Sequence, residues 1–335
     1  MKSARCLTSI SKVLLIAVVS VFQITSVSFS AQTLGFNFDW DDNIFNMPTE
    51  IMLWNKKTQE EFGVSTSKWA LIRQSVGQPG DWEMFEVIPK GKPHASLRFF
   101  GDEIGDGVNH FRSDIVKALK ESADKWKGPS WDAFVIAMSH EETAKNTTII
   151  TARGHSPSTM LAGLAYLKDQ GYLKHLPPKE NLFAVMYPEI QPKKYFAEAT
   201  SPSVAKALVM MDLLDNLAMV PFDAKSSFVT NSDNTGIGIR HLWGFSDDDY
   251  GNYETAVRSL SEEIKKDPLR WRRIKITVFF TEKHNPKHQP TAVVLTSKGG
   301  TRDLPQRELE EVDKIVSKLS DHSVFRVLYE RKNSR

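Results

Sequence analysis

Five short, β-rich apolar runs spaced by segments with helical periodicity restrict what this chain can fold into. The runs are Thr33–Phe38, Thr147–Thr151, Asn181–Tyr187, Ile239–Phe245 and Ile274–Phe280. Helical periodicity fills Trp131–Lys145, Ser158–Leu173, Ser203–Leu217, Tyr250–Lys266 and Leu304–Leu319. Pro157 and Ser201-Pro202 mark two helix starts, because proline suits the first helical turn, where an N–H would have no partner. Strands and helices alternating at these lengths predict an α/β fold, a parallel sheet with helices on both faces.

One interval breaks the alternation. About 100 residues separate the first run from the second, far more than an ordinary crossover. Within it, Glu50–Val64 reads as a hairpin and Leu97–Phe100 as a short strand. Residues 75–95 are rich in Gly and Pro, and Phe111–Trp126 reads as a helix. This is an insertion at about 46–130, placed after the first strand at the end of the sheet where ligands bind in such folds.

The chain of 335 residues carries 43 Lys and Arg against 41 Asp and Glu. That balance disfavours a nucleic-acid partner held by bulk charge. Eight Trp and nineteen Phe argue against disorder, and a single Cys excludes both a disulfide framework and a cysteine-based zinc site. Lys2, Arg5 and Lys12 precede the apolar run Val13–Phe22, which gives way to a stretch rich in Ser and Thr. These are the parts of a secretory signal peptide. An uncleaved anchor is the alternative, but ten apolar residues fall well short of the roughly 20 that span a bilayer. Residues 1–30 are therefore expected to leave, so that the exported chain, 31–335, has no stable membrane anchor. Its net charge moves from +2 to −1, and Cys6, the one thiol, goes with the leader.

Acidic or hydroxyl residues close three of the predicted strands. Asp39-Trp40-Asp41-Asp42 follows the first. Carboxylates this close repel one another, and a bound cation or acid–base chemistry is the usual compensation; a solvated turn or a helix cap is the alternative. Thr151-Ala152-Arg153-Gly154 closes the second, a hydroxyl followed by a turn that can aim N–H groups and an Arg at an anion. Ser246-Asp247-Asp248-Asp249 closes the fourth, where one aspartate is expected to cap the helix that begins near Tyr250. Arg153 and His155 follow Thr151 on the same rim and are candidates for substrate contact. Trp40, Trp54, Trp69 and Trp82 are candidates for an aromatic rim, with core packing as the alternative.

These segments resemble, in order, the motifs of the haloacid dehalogenase superfamily. Asp39-Trp40-Asp41-Asp42-Asn43-Ile44-Phe45 after an apolar strand is similar to the first motif, with Asp42 and Asn43 where Gly and Thr are usual. Thr151 is similar to the second, Lys206 to the third-motif lysine (with Lys193, Lys194 and Lys225 as alternatives), and Asp247-Asp248 to the fourth. The resemblance implies a Rossmann-like domain with a flap or cap insertion and phosphoryl transfer through an aspartyl-phosphate. Asp39 would be the nucleophile and Asp41 the general acid. Thr151 and Lys206 would hold phosphate oxygens. Mg²⁺ would be held by Asp39, the backbone carbonyl of Asp41, and an acid of the Asp247/Asp248 pair, either of which could be the ligand. The expected function is an exported Mg²⁺-dependent phosphomonoesterase acting on a small phosphorylated substrate. A phosphotransferase of the same fold and a non-catalytic secreted binding module are the alternatives.

Overall fold

The computed structural model describes residues 33–102, 104–188, 199, 201–219, 229–230, 238–239, 241–282, 291–296 and 298–303. The leader at 1–30, Lys193, Lys194, Lys225 and the helix expected at Leu304–Leu319 lie outside the described residues. Twelve strands are present among those described. They are β1 (Thr33–Phe38), β2 (Glu50–Asn55), β3 (Glu60–Ser65), β4 (Phe85–Glu86), β5 (Thr147–Thr151), β6 (Leu182–Ala184), β7 (Val229–Thr230), β8 (Gly238–Ile239), β9 (His241–Asp247), β10 (Ile274–Phe280), β11 (Thr291–Leu295) and β12 (Thr301–Asp303).

Seven of them form one sheet in the order β12-β11-β10-β9-β1-β5-β6. The five from β10 to β6 run parallel, while β11 and β12 extend one edge antiparallel. The result is a mostly parallel sheet flanked by helices, compatible with a Rossmann-like fold. The β11–β12 edge has no counterpart in the expected alternation. Its turn at Lys298-Gly299-Gly300 uses Gly299 at φ +72, a left-handed conformation that glycine adopts without a Cβ penalty.

Both faces are buried, as a parallel sheet requires. Leu34, Phe36, Phe38, Ile149 and Leu242 pack on one face with Phe111, Ile115, Phe134, Met160 and Leu164. Their strand neighbours Ile150, Trp243 and Phe245 point the other way, onto Val209, Met210, Leu214, Ala256 and Leu260 of the helices Pro202–Ala218 and Tyr250–Lys266. Among the described residues no helix is long and apolar enough to cross a membrane.

The long interval between β1 and β5 is only partly a separate unit. The β2–β3 hairpin, joined by β4 and the helix Thr66–Ile72, has its own small core of Ile51, Leu53, Val64 and Ile72. From His110 onward the chain belongs to the main core. Two expected helices are each broken in two: Phe111–Trp126 into His110–Ala118 and Ala123–Trp126, and Trp131–Lys145 into Trp131–Ala137 and Glu141–Lys145. The second break follows local bonding, since the Ser139 hydroxyl donates to Ile136 O (2.6 Å) and that of Thr143 to Ala137 O (2.6 Å). The expected strand at Leu97–Phe100 is a 3₁₀ turn, Arg98–Phe100.

The helices His110–Ala118 and Pro157–Asp169 meet through Gly163, where a Cβ would strike the Phe111 ring and come within 3.0 Å of Ile115. Replacing a mid-helix glycine by alanine ordinarily favours the helix by about 1 kcal/mol. Overpacking a close contact costs about 1–3 kcal/mol, so the balance here runs the other way. Gly163→Ala is expected to lower the urea midpoint with an unchanged slope, and a raised midpoint would contradict this packing.

Candidate functional site

The parallel strands deliver their closing residues to one edge of the sheet. Phe38 is level with Ile149 of β5 on one side and with Ser246 of β9 on the other. Asp39 therefore leaves the sheet between Thr151 and Asp247, its N–H donating to Ser246 O at 2.9 Å. From β1 the sheet is built toward β5 and β6 on one side and β9 and β10 on the other, so this crevice is the switch point at which open α/β sheets bind ligands.

Lys206 closes the cluster. Its helix starts with Ser201 Oγ accepting Val204 N–H and Pro202 in the first turn, which fixes the phase that turns Lys206 inward. The ammonium lies 2.9 Å from Asp39 Oδ1 and donates to Asp247 Oδ2 at 2.8 Å. Asp247 Oδ1 accepts from Asp249 N (2.9 Å) and Asn252 Nδ2 (3.2 Å). Lys206, Asp39 and Asp247 are all buried. One carboxylate oxygen from each of Asp39, Asp247 and Asp248 lies within 4.8 Å of the others, close enough to hold one metal ion.

Charge in this cluster is under tension. Burial raises the Asp39 carboxyl well above its ordinary value, Lys206 opposes that, and Asp247 and Asp41 add to it. Asp248 is raised in the same way by burial, then by Asp42 and Asp247. For Lys206, burial works against the charge, yet Asp247 and Asp39 outweigh it and hold the ammonium protonated. One cation thus bridges two of the three convergent acids, Asp39 and Asp247, and a divalent ion would relieve what remains.

Asp41 faces away from Lys206. Arg153 Nε donates to Asp41 Oδ2 at 2.9 Å and Nη2 to Oδ1 at 2.6 Å, a forked pair, and Thr151 Oγ1 reaches Oδ2 at 3.3 Å. Arg153 and His155, the candidates for substrate contact on this rim, are both fully buried. Phe100 and Phe111 cover the guanidinium with ring centroids 4.9 and 5.5 Å away, and Phe111 also lies against His155 at 5.6 Å. Burial first, then Arg153 and His110, push the His155 pKa down to about 2, so its ring is neutral. Trp40 is likewise core, stacked on Phe45 at 5.7 Å, whereas Trp54, Trp69 and Trp82 are half-buried in the insertion.

Asp42 and Asn43 have structural reasons of their own. Asp42 sits at φ 55, the left-handed region that glycine and, less readily, aspartate and asparagine adopt. Asn43 is a fully buried tie. Its Nδ2 donates to Asp39 O (3.1 Å) and Ser246 O (3.0 Å), and its Oδ1 accepts from Ser130 Oγ and Thr281 Oγ1, both at 2.7 Å. Sequence reasoning missed Asn43, Ser130 and Thr281; the one signal was that Asn43 departs from the motif. The helix cap is Asp249, whose Oδ1 accepts Gly251 N at 2.7 Å, which leaves both Asp247 and Asp248 to the cluster. Asp249 also pairs with Arg73 at 2.8 Å, joining the insertion to the rim. Between them opens a cleft of about 520 Å³, bordered by Asp42, Ser65, Arg73, Asp248 and Tyr250.

Fold and site together define an α/β protein with a buried carboxylate–lysine cluster at the carboxyl edge of its sheet. No protein-family model, curated protein or solved structure matches the chain.

Asp42 provides a pH test. Burial, more than its neighbour Asp41, pushes its carboxyl up to about 6, against 3.8 for an ordinary aspartate. A raised carboxyl leaves the fold at full strength below the unfolded value and costs stability as pH rises through the folded one. Asp42→Asn keeps a residue tolerant of positive φ and removes the charge. In metal-free buffer the variant is expected to melt above the parent at pH 7.5, with the gap closing by about pH 4; a gap independent of pH would remove charge burial as its cause.

Proposed function

We propose that this chain is a Mg²⁺-dependent phosphomonoester hydrolase acting through an aspartyl-phosphate, exported once residues 1–30 are removed. The observation that carries the reading is Lys206 bridging Asp39 and Asp247, with Asp41 two residues from Asp39 on the same edge. The reading is supported by the resemblance of Asp39, Asp41, Thr151, Lys206 and Asp247-Asp248 to the haloacid dehalogenase motifs, from which Asp42 and Asn43 depart. A carboxylate needs neither activation nor a second carboxylate merely to bind a ligand.

Asp39 attacks phosphorus and the bond to the leaving oxygen breaks; Asp41, which must enter this step carrying a proton, gives it to that oxygen, so an alcohol departs. Water then attacks the aspartyl-phosphate, Asp41 takes its proton, and inorganic phosphate leaves with Asp39 restored. Lys206 offsets repulsion between Asp39 and the incoming anion, and Thr151 holds a phosphate oxygen. The donor set of three clustered carboxylates under charge tension fits a hard divalent cation. Asp39, Asp247, Asp248 and the Asp41 backbone carbonyl would hold Mg²⁺, which when bound supplies positive charge to the phosphate.

The reading is tested by phosphate release from a panel of phosphomonoesters, with added alcohol acceptors to detect transfer. Asp39→Asn is expected to abolish release while melting as a folded protein; more than a few per cent residual activity removes Asp39 as nucleophile. Metal dependence is a separate test. EDTA should silence the enzyme and Mg²⁺ restore it and raise the melting temperature, since the ion binds only the folded state. Asp248→Asn should raise the Mg²⁺ concentration needed for half-activity, whereas Asp249→Ala should cost about 0.5–2 kcal/mol through its lost cap without altering that concentration. The reverse pattern would place the ligands elsewhere.

A further inference from the structure

We infer that Arg153 is a positioning residue that holds Asp41 in the orientation needed for proton transfer, so that an arginine supported by the insertion controls the leaving-group step. The inference rests on the phosphatase reading above.

The geometry singles out this side chain. A wholly buried guanidinium spends its Nε and Nη2 on the two oxygens of Asp41, which itself remains 15% exposed at the site edge. The same Nη2 donates to Thr49 Oγ1 at 2.9 Å, and Thr49 donates onward to Asp114 Oδ2 at 2.6 Å. Asp114 is anchored by Lys117 at 2.9 Å. The two phenylalanine rings limit the tilt of the guanidinium plane. Backbone bonds fix the loop that carries Arg153, since Gly154 N–H donates to Phe100 O (2.7 Å) and Met186 N–H to Arg153 O (3.0 Å).

Arg153 is therefore held by three separate stretches of chain: Thr49 ahead of β2, Phe100 in the insertion, and Phe111 on the first helix of the core. A planar fork aligned this way fixes the plane and direction of the carboxylate it meets, which a lysine's single ammonium does not. Asp39 takes its countercharge from Lys206 instead, so the two carboxylates of the first strand end are oriented by different cations. Loss of Arg153 should consequently leave attack by Asp39 intact and impair delivery of the proton.

The experiment compares leaving groups of differing basicity in the full chain with Mg²⁺. The parent, Arg153→Gln, Thr49→Val, Asp41→Ala and the double variant Arg153→Gln/Asp41→Ala are each assayed. Arg153→Gln is expected to lose about 10²-fold in kcat for an alkyl phosphate and less than about 5-fold for an activated aryl phosphate, following Asp41→Ala, because general acid catalysis is worth about 10²–10⁴-fold only where the leaving oxygen needs a proton. The double variant should be no slower than Asp41→Ala alone. Thr49→Val, nearly isosteric, should show the same leaving-group pattern at smaller amplitude and keeps the test open if Arg153→Gln fails to fold. An equal loss across all leaving groups in Thr49→Val and any folded Arg153→Gln, or additive losses in the double variant, overturns the inference and leaves the phosphatase reading standing. Absence of turnover by the parent overturns both.

Discussion

The ammonium of Lys206 between Asp39 and Asp247 is the interaction on which the rest of this site depends. Three ionisable groups are withdrawn from water there, and the desolvation of the two carboxylates is tolerable because the ammonium lies within 2.9 Å of both. Removing one member would leave an uncompensated buried charge, a loss commonly of about 3–5 kcal/mol. The surrounding polar groups follow from that demand. Asn252 and the Asp249 amide satisfy the second oxygen of Asp247, and Asn43 pins the strand ends so that the carboxylates converge.

Two cations divide the acidic residues between them. Lys206 serves the side of the crevice toward β9, and Arg153 the side toward β5. Asp248 is matched to neither, and burial with repulsion from Asp42 and Asp247 raises its carboxyl; burial raises Asp42 as well, although Arg153 opposes it. The charge deficit is thus concentrated beside the open cleft, where an incoming cation can reach it.

Much of this was legible in the sequence because its physics is local. The boundaries of β1, β5 and β10 follow from apolar runs flanked by polar residues, and the helix at Pro202 from its serine–proline start. Asp39 and Asp247 are brought together as their positions at strand ends suggested, and Lys206 joins them as the family resemblance implied. The rest depends on tertiary partners that periodicity does not encode. Arg153 and His155 look like rim residues until Phe100 and Phe111 cover them. Three consecutive aspartates leave the helix cap ambiguous by one or two residues, and only backbone geometry selects Asp249. The β11–β12 edge escaped because short antiparallel strands beside a glycine turn carry little periodic signal.

The central position of β1 also shapes how the molecule comes to exist. Asn37 of β1 bonds Gly244 of β9 across 207 positions of chain. One side of β1 can pair once β5 has formed, but the other has no neighbour until most of the polypeptide has been made. Contacts of such long range are slow to form, and an unpaired apolar strand edge is open to other chains meanwhile. A nascent or truncated chain ending before His241 would carry that edge bare and could assemble neither Asp247 nor the strand that supports it. The crevice is accordingly completed only after β9 has been made, and chains that end before it are prone to aggregate.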